Sequence, residues 1–378
     1  MNIAFDEKQL ESAAAETVEL IEQLCGVPAP SNMERNRAEF CRDWFEKNGA
    51  QGVYIDSADN VIYPVNCDGR EDIVVFMAHT DTVFPDTEPM KFVNDGTYLH
   101  SPGVGDDTAC LAIMMTVVKQ LIKQGATPKR GIIFAANSGE EGLGNLRGIR
   151  QIMKDYGGRI SEVYTFDGQY NAIVNKCVGS HRYKVTAETE GGHSFNAFGN
   201  ANAICELSKL ICRLCSGEVP HVGNSKTTYN VGVINGGTSV NTIAQSAEML
   251  YEYRSDSAEC IGRMQQFFEE AVAAAKAEGK AAFEVEVLGI RPCGGDVDEK
   301  QLAEMSRKVA DICEKHSGVT CEINSGSTDC NIPMSLGVPA VCVGLYLGGG
   351  EHTREEKVLI GSIPVGLKIA AELIGSYM

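Results

Sequence analysis

Several things are missing from this sequence of 378 residues, and each absence closes off a class of function. No apolar run approaches the roughly 18 residues that a membrane-spanning helix needs. The opening residues, Met1-Asn2-Ile3-Ala4-Phe5-Asp6-Glu7, lack the basic start and apolar stretch of a secretory signal, so none is expected. Basic residues are in deficit, 33 against 51 acidic for a formal charge of −18. That balance argues against nucleic acid, and against an anionic membrane surface, as partner. No internal repeat and no low-complexity segment is present. The fourteen cysteines form no evident disulfide or zinc framework. Cys212 and Cys215 make a C-x-x-C, but no histidine or second pair lies near them in sequence. With Cys205 they fall on one face of a predicted helix, where packing is the expected role. The thiols therefore read as reduced, and the protein as cytoplasmic.

What remains is an ordinary globular composition, 43% hydrophobic and 22% charged, in a chain long enough for two domains. Helical periodicity covers 8–24 and 34–49, the second ending at Asn48-Gly49, a glycine stop. Strands are expected at 52–56, 60–66 and 72–78, then a long buried helix from Asp107 to Gln124. Strand 131–137, helix 145–155 and strand 161–166 follow, the last closing on Asp167-Gly168. This alternation predicts an α/β fold: a mostly parallel sheet with helices on both faces. Near Lys176 the pattern changes to strand 178–189, helix 200–216, strands 226–234 and 246–254, helix 257–278 and strand 282–289. That order is a βαββαβ ferredoxin-like unit. Helix 298–316, strands 319–323 and 339–344, and a C-terminal helix near 362–376 restore the first pattern. The economical division is one α/β domain from residues 1–176 and 292–378, with residues 177–291 inserted.

The chemistry gathers after the apolar runs. Ile73-Val74-Val75-Phe76-Met77-Ala78 ends in His79-Thr80-Asp81, and Gly131-Ile132-Ile133-Phe134-Ala135-Ala136 leads to Glu140-Glu141. A glycine-broken stretch from Pro102 carries Asp106-Asp107. Open α/β sheets bind ligands at the carboxyl ends of their strands. Two carboxylates 4 Å apart repel by roughly 4 kcal/mol at an effective dielectric of ~20. Several acids in one place therefore call for a cation, and imidazole with carboxylate oxygen is a suitable zinc donor set. A lone histidine is more often a packed or surface residue, and His100, His181, His221 and His316 keep that reading. The neighbouring carboxylates single out His79 and His352.

Six ordered segments then resemble one superfamily, the two-zinc exopeptidases and amidohydrolases that include peptidase T, carboxypeptidase G, acetylornithine deacetylase and aminoacylase. They are Met77-Ala78-His79-Thr80-Asp81, Gly103-Val104-Gly105-Asp106-Asp107, Asn137-Ser138-Gly139-Glu140-Glu141-Gly142, Thr165-Phe166-Asp167-Gly168, Gly191-Gly192-His193-Ser194 and Glu351-His352-Thr353. The resemblance implies that His79 and Asp167 hold one zinc, that Glu141 and His352 hold a second, and that Asp106 bridges them; cobalt or manganese would serve the same donors. It makes Glu140 the general base and acid, and Asp81 the buttress of the His79 imidazole. His193, in the inserted lid, would stabilise the oxyanion. Asn241 and Arg254 match substrate-contacting positions, Arg254 gripping a carboxylate, though a strand-end salt bridge is its ordinary alternative. Gly326-Ser327 resembles a substrate-lining turn, and the peptide bond before Asp107 is cis in relatives. Many relatives dimerise through the lid, so a homodimer there is among the implied partners.

Two features depart from the pattern or divide it. Thr108-Ala109 stands where lysine and glycine commonly follow the bridging aspartate. Gly-Gly-His-Ser leans towards the deacylases, whereas Asp167 is aminopeptidase-like. The leading expectation is a di- or tripeptide aminopeptidase most similar to peptidase T, with an N-acyl-amino-acid amidohydrolase or carboxypeptidase on the same metals as the alternative. The substrate is then a short peptide or an N-acyl amino acid. A catalytically silent scaffold would show an eroded ligand set, and every mapped position here holds a competent residue.

Overall fold

The computed structural model describes residues 5–378, which fall into two compact units, Met1–Cys177 with Gly295–Met378 and Val178–Gly294. The first is organised on the strand Ile73–His79, buried at every position. Side chains alternate across a strand, so an unbroken apolar run must be covered on both faces. Val74, Phe76 and Ala78 enter one core with Phe134, Tyr164 and Phe166. Ile73, Val75 and Met77 enter another with Ile133, Ala135 and Val163. Helices Glu7–Cys25, Arg35–Lys47, Cys110–Gln124, Glu299–Ser317 and Ile363–Gly375 cover the first face. Arg147–Tyr156 and Asn331–Ser335 cover the second.

Across this sheet the strands run Tyr54–Ile55, Val61–Val65, Gly131–Asn137, Ile73–His79, Ile160–Phe166, Ala340–Val343, Ala172–Cys177 and Glu322–Gly326. It is mainly parallel. The exceptions are Tyr54–Ile55 against Val61–Val65, Val61–Val65 against Gly131–Asn137, and Ala172–Cys177 against Ala340–Val343. Parallel registers pair His79 with Asn137 and Met77 with Thr165, so the residues that follow these strands leave from one edge. A small antiparallel sheet beside it holds Val93–Asn94, Tyr98–His100, Lys357–Leu359 and Gly348–Gly349.

Three expectations shift here. The helix predicted from Asp107 begins at Cys110, because Asp106 and Asp107 have non-helical backbone and a cis peptide between them. The strand expected at 319–323 lies at Glu322–Gly326. No strand is expected at Ala172–Cys177, whose apolar run Ala172-Ile173-Val174 is cut short by Asn175-Lys176; it forms by pairing with Ala340–Val343 and Glu322–Gly326.

The second unit is βαββαβ, its four-stranded antiparallel sheet ordered Thr227–Gly236, Ser246–Ser255, Gly179–Glu188, Ala282–Arg291. Tyr183, Val185, Met249 and Tyr251 pack against Leu207, Leu210, Leu214 and Phe268 from its two helices. Asn202 and Ser257 cap those helices by accepting backbone N–H groups. The packing role expected for Cys205, Cys212 and Cys215 is overturned: all three are exposed. Ala203, Leu207, Leu210 and Leu214 form the buried stripe, and helical periodicity turns the cysteines away from it. All fourteen cysteines are free. Among the described residues no helix is long and apolar enough to cross a membrane.

Phe76 is the centre of the larger core, its ring 5.3 Å from that of Tyr164, 5.7 Å from Tyr377, 5.9 Å from Phe134 and 6.0 Å from Phe166. Phe76→Ala should cost about 3–5 kcal/mol in denaturant unfolding. A loss under about 1 kcal/mol would show that this stack does not hold the sheet.

Candidate metal centre and active site

Three parallel strands deliver the first components: His79 ends Ile73–His79, Glu140-Glu141 follow Gly131–Asn137, and Asp167 follows Ile160–Phe166. Asp106 comes from the turn after Tyr98–His100, and His352 from the loop after Gly348–Gly349. His79 Nε2 lies 3.0 Å from Asp106 Oδ1, and His352 Nε2 lies 3.1 Å from Asp106 Oδ2. His352 Nε2 is also 3.2 Å from Glu141 Oε1. One ligand atom from each of His79, Asp106 and Glu141 falls within 4.8 Å of the others. The Asp106 carboxylate thus stands between two imidazoles.

Asp81 meets the His79 imidazole through two groups and holds a neighbouring segment as well. The His79 Nδ1 contact is to the Asp81 backbone carbonyl at 3.0 Å, with the Asp81 carboxylate farther away at 3.5 Å. The carboxylate also accepts the backbone N–H of Glu140 (3.0 Å), the N–H of Glu141 (2.9 Å) and the Ser31 hydroxyl (2.7 Å). A carbonyl only accepts, so Nδ1 of His79 carries a proton. Neutral His79 would then turn a lone pair on Nε2 towards the Asp106 carboxylate. Only a proton or a cation between the two makes that contact favourable.

The electrostatics agree. Burial opposes charge on His79, yet the Asp106 and Asp81 carboxylates outweigh it and hold the imidazole well above its ordinary pKa. The adjoining carboxylates of Asp106 and Glu141 raise His352 to about 11. Burial disfavours the charged form of Asp106, but the two imidazoles hold its carboxyl well below the usual range. Burial pushes Glu141 up to about 7, opposed by His352 and helped by Asp106 and Glu140. Asp167 is raised well above normal by burial, then by Asp106. Its carboxyl also feels His79, Glu140 and Glu141, so it belongs to the same charge cluster.

The residues fit divalent cations. Glu141 Oε1 is buried and without a hydrogen bond although His352 stands close by. An unsatisfied buried carboxylate oxygen beside two imidazoles and two further acids suits nitrogen and oxygen ligation. A bound cation would lower every acid in the cluster.

Within the second unit, His193 is exposed and pairs with Thr242 in a two-stranded ribbon. Its Nδ1 accepts the Phe195 backbone N–H at 3.3 Å, which leaves Nε2 to carry the proton and donate. Asn241 lies alongside, its carbonyl accepting the Ser194 N–H at 3.0 Å. Arg254 does not join them. It pairs with Ser180, whereas Ser246, at the other end of its strand, pairs with Glu188 on the approach to His193. At about 3.3 Å per residue these ends are roughly 25 Å apart. Both Nε and Nη2 of Arg254 donate to Glu252 at 3.1 Å. In the first unit Gly326 ends its strand, leading through Ser327 and Thr328 to Asp329.

Sequence reading missed four residues here. Ser31 ties the N-terminal segment to Asp81. Buried Asp329 accepts the Asn137 amide at 2.6 Å, three residues before Glu140, and burial followed by the Glu140 charge raises it to about 8. Arg37 is buried and donates to the carbonyls of Val27 (2.8 Å), Leu24 and Thr80 (2.9 Å each), beside His79. Glu356 binds the backbone of the Asp106 turn. None has a local signal beyond being polar near a motif, since each partner is remote in sequence.

Residues 75–376 match the model of the family described as Peptidase family M20/M25/M40. The chain is 26% identical over 366 residues, 90% of this chain and 93% of the other, to an uncharacterized Bacillus subtilis protein, YqjE. It is 25% identical over 242 residues, 62% of this chain and 65% of the other, to a succinyl-diaminopimelate desuccinylase of Corynebacterium glutamicum. The crystal structure of a tripeptidase from Staphylococcus aureus superposes with a TM-score of 0.75 at 21% identity, covering 96% of this chain and 99% of that one. That superposition shows a shared fold.

Metal binding should release protons, because burial pushes Glu141 up to about 7 and the carboxylates of Asp106 and Glu141 raise His352 to about 11. Affinity should therefore rise with pH through about 7, where Glu141 loses its proton, and go on rising towards about 11 as His352 loses its own, with proton release measurable by titration calorimetry in buffers of different ionisation enthalpy. A flat profile would mean that other donors bind the ion. Asp81→Ala should weaken metal binding roughly 10–100-fold, since the amides of Glu140 and Glu141 lose their acceptor.

Proposed function

Because the chain belongs to peptidase family M20/M25/M40, within the two-zinc exopeptidase and amidohydrolase superfamily, we propose that it is a metallo-exopeptidase hydrolysing the amide bond of short peptides, of the di- and tripeptide aminopeptidase type. One observation carries this reading: the Asp81 carboxylate holds the adjacent backbone amides of Glu140 and Glu141, and Glu141 reaches the Asp106–His352 cluster. Glu140 is thereby set beside candidate ligands without having to be one.

The residues that would hold two zinc ions are His79 and Asp167 for one, Glu141 and His352 for the other, and Asp106 shared. Cobalt or manganese would accept the same donors. Such ions, when bound, polarise a scissile carbonyl and make water nucleophilic near neutral pH. Glu140 takes the proton of the attacking water and delivers it to the leaving amine, a role worth ~10²–10⁴-fold. His193 offers its Nε2–H to the oxyanion, and Asn241 and Gly326 contact substrate. Arg254 gives two of its five N–H donors to Glu252 and keeps those of Nη1 for a substrate carboxylate. The aminopeptidase-like Asp167 and the likeness to a tripeptidase favour peptides.

A second reading, an N-acyl-amino-acid amidohydrolase, is favoured by the likeness to a desuccinylase and by Gly191-Gly192-His193-Ser194. The two differ in whether the substrate amine is free. A panel of di- and tripeptides set against their N-acylated counterparts distinguishes them, the free-amine peptides being cleaved faster in the leading reading. Chelation should abolish turnover, and Glu140→Ala should lower kcat by ~10²–10⁴-fold. Chelator-insensitive cleavage, or full activity in Glu140→Ala, would sink both.

A further inference from the structure

Glu356 is a buried acid whose partners are almost all main chain. Its Oε2 accepts the Gly103 N–H at 2.7 Å, and its Oε1 accepts the N–H groups of Gly105 and Asp106 at 2.8 Å each. Among the described residues no cationic side chain pairs with it. Burying a carboxylate is unfavourable unless its oxygens are hydrogen bonded, and bonds to an ionised acceptor are the short, strong ones. Clustered backbone N–H groups in a turn form an anion-binding concavity. This one is filled by the chain's own glutamate.

Glycine makes the concavity possible. Gly103 has φ 72°, and a Cβ on Gly105 would lie 2.5 Å from the Tyr346 hydroxyl oxygen. The other side of the contact is fixed by strand register: Lys357 pairs with His100, and the Ser101 N–H donates to the Glu356 carbonyl at 3.3 Å. The segment from His352 to Glu356 therefore meets the Asp106 turn twice. His352 Nε2 approaches the Asp106 side chain at 3.1 Å, and Glu356 binds the Asp106 main chain.

We propose that Glu356 is a positioning residue that locks Asp106 and His352 into one frame, fixing the spacing at which they present donor atoms to a divalent cation. The inference rests on the metal reading given above. It adds that the distance between two donors from opposite parts of the chain is set by a third side chain that touches no ion.

Glu356→Gln keeps the size but turns an NH2 group towards N–H donors. Cobalt(II) titration of the purified full-length protein, followed by calorimetry and visible absorption, should show affinity lowered roughly 10–100-fold with altered bands. The kcat should fall comparably while KM is little changed. Glu356→Asp keeps the charge but shortens the reach, and should recover part of the affinity. If Glu356→Gln does not fold, Glu356→Asp carries the same two measurements. A folded variant with wild-type cobalt affinity and spectrum overturns the proposal even if its activity is low, because the carboxylate is then only a staple. Loss of fold in both variants overturns it as well. Failure of the wild-type protein to bind any divalent ion would instead remove the metal reading itself.

Discussion

Like charges forced together in a place with little water govern this structure. Asp106 and Glu141 come together within reach of the charges of Asp167 and Glu140, and burial first, then like charge, drives Glu141 and Asp167 towards their neutral forms. Asp106 stays ionised because His79 and His352 flank it. An arrangement that costs this much persists when something repays it, and divalent cations among these donor atoms would do so. The parallel sheet makes the gathering feasible by ending three strands at one edge, so that donors distant in sequence meet without long loops.

The acids are steered mainly by backbone amides. Asp81 is held by the N–H groups of Glu140 and Glu141, Glu356 by those of Gly103, Gly105 and Asp106, and Asp107 by that of His79 at 2.9 Å. In a chain with 18 more acidic than basic residues, arginine or lysine partners at every buried acid would also compete with a bound cation. Amide donors avoid that competition. They neutralise little formal charge yet fix direction to within a hydrogen bond's tolerance. The glycines at 103 and 105 and the strand exits at 79 and 137 are where the chain has amides to offer.

Much of the architecture was legible because it depends on short-range pattern. Unbroken apolar runs at 73–78 and 131–136 imply strands covered on both faces, and the change of period after Lys176 separates the βαββαβ segment. The errors are equally physical. Cys205, Cys212 and Cys215 share a helix, but Leu207, Leu210 and Leu214 define its buried stripe. Ala172–Cys177 has its apolar run broken by Asn175-Lys176 and becomes a strand through its neighbours.

At the centre itself the division is sharper. Residue types and their order after strands were enough to nominate His79, Asp106, Glu140, Glu141, Asp167 and His352, since chemistry and strand polarity are encoded locally. Tertiary structure alone decided which atoms meet: that His79 Nδ1 meets the Asp81 carbonyl at 3.0 Å and its carboxylate at 3.5 Å, that Arg254 sits at the strand end remote from the ribbon carrying His193, and that Glu356 cradles the Asp106 turn from 250 positions away. Such contacts follow from register and packing between remote segments, and no window of sequence contains both partners.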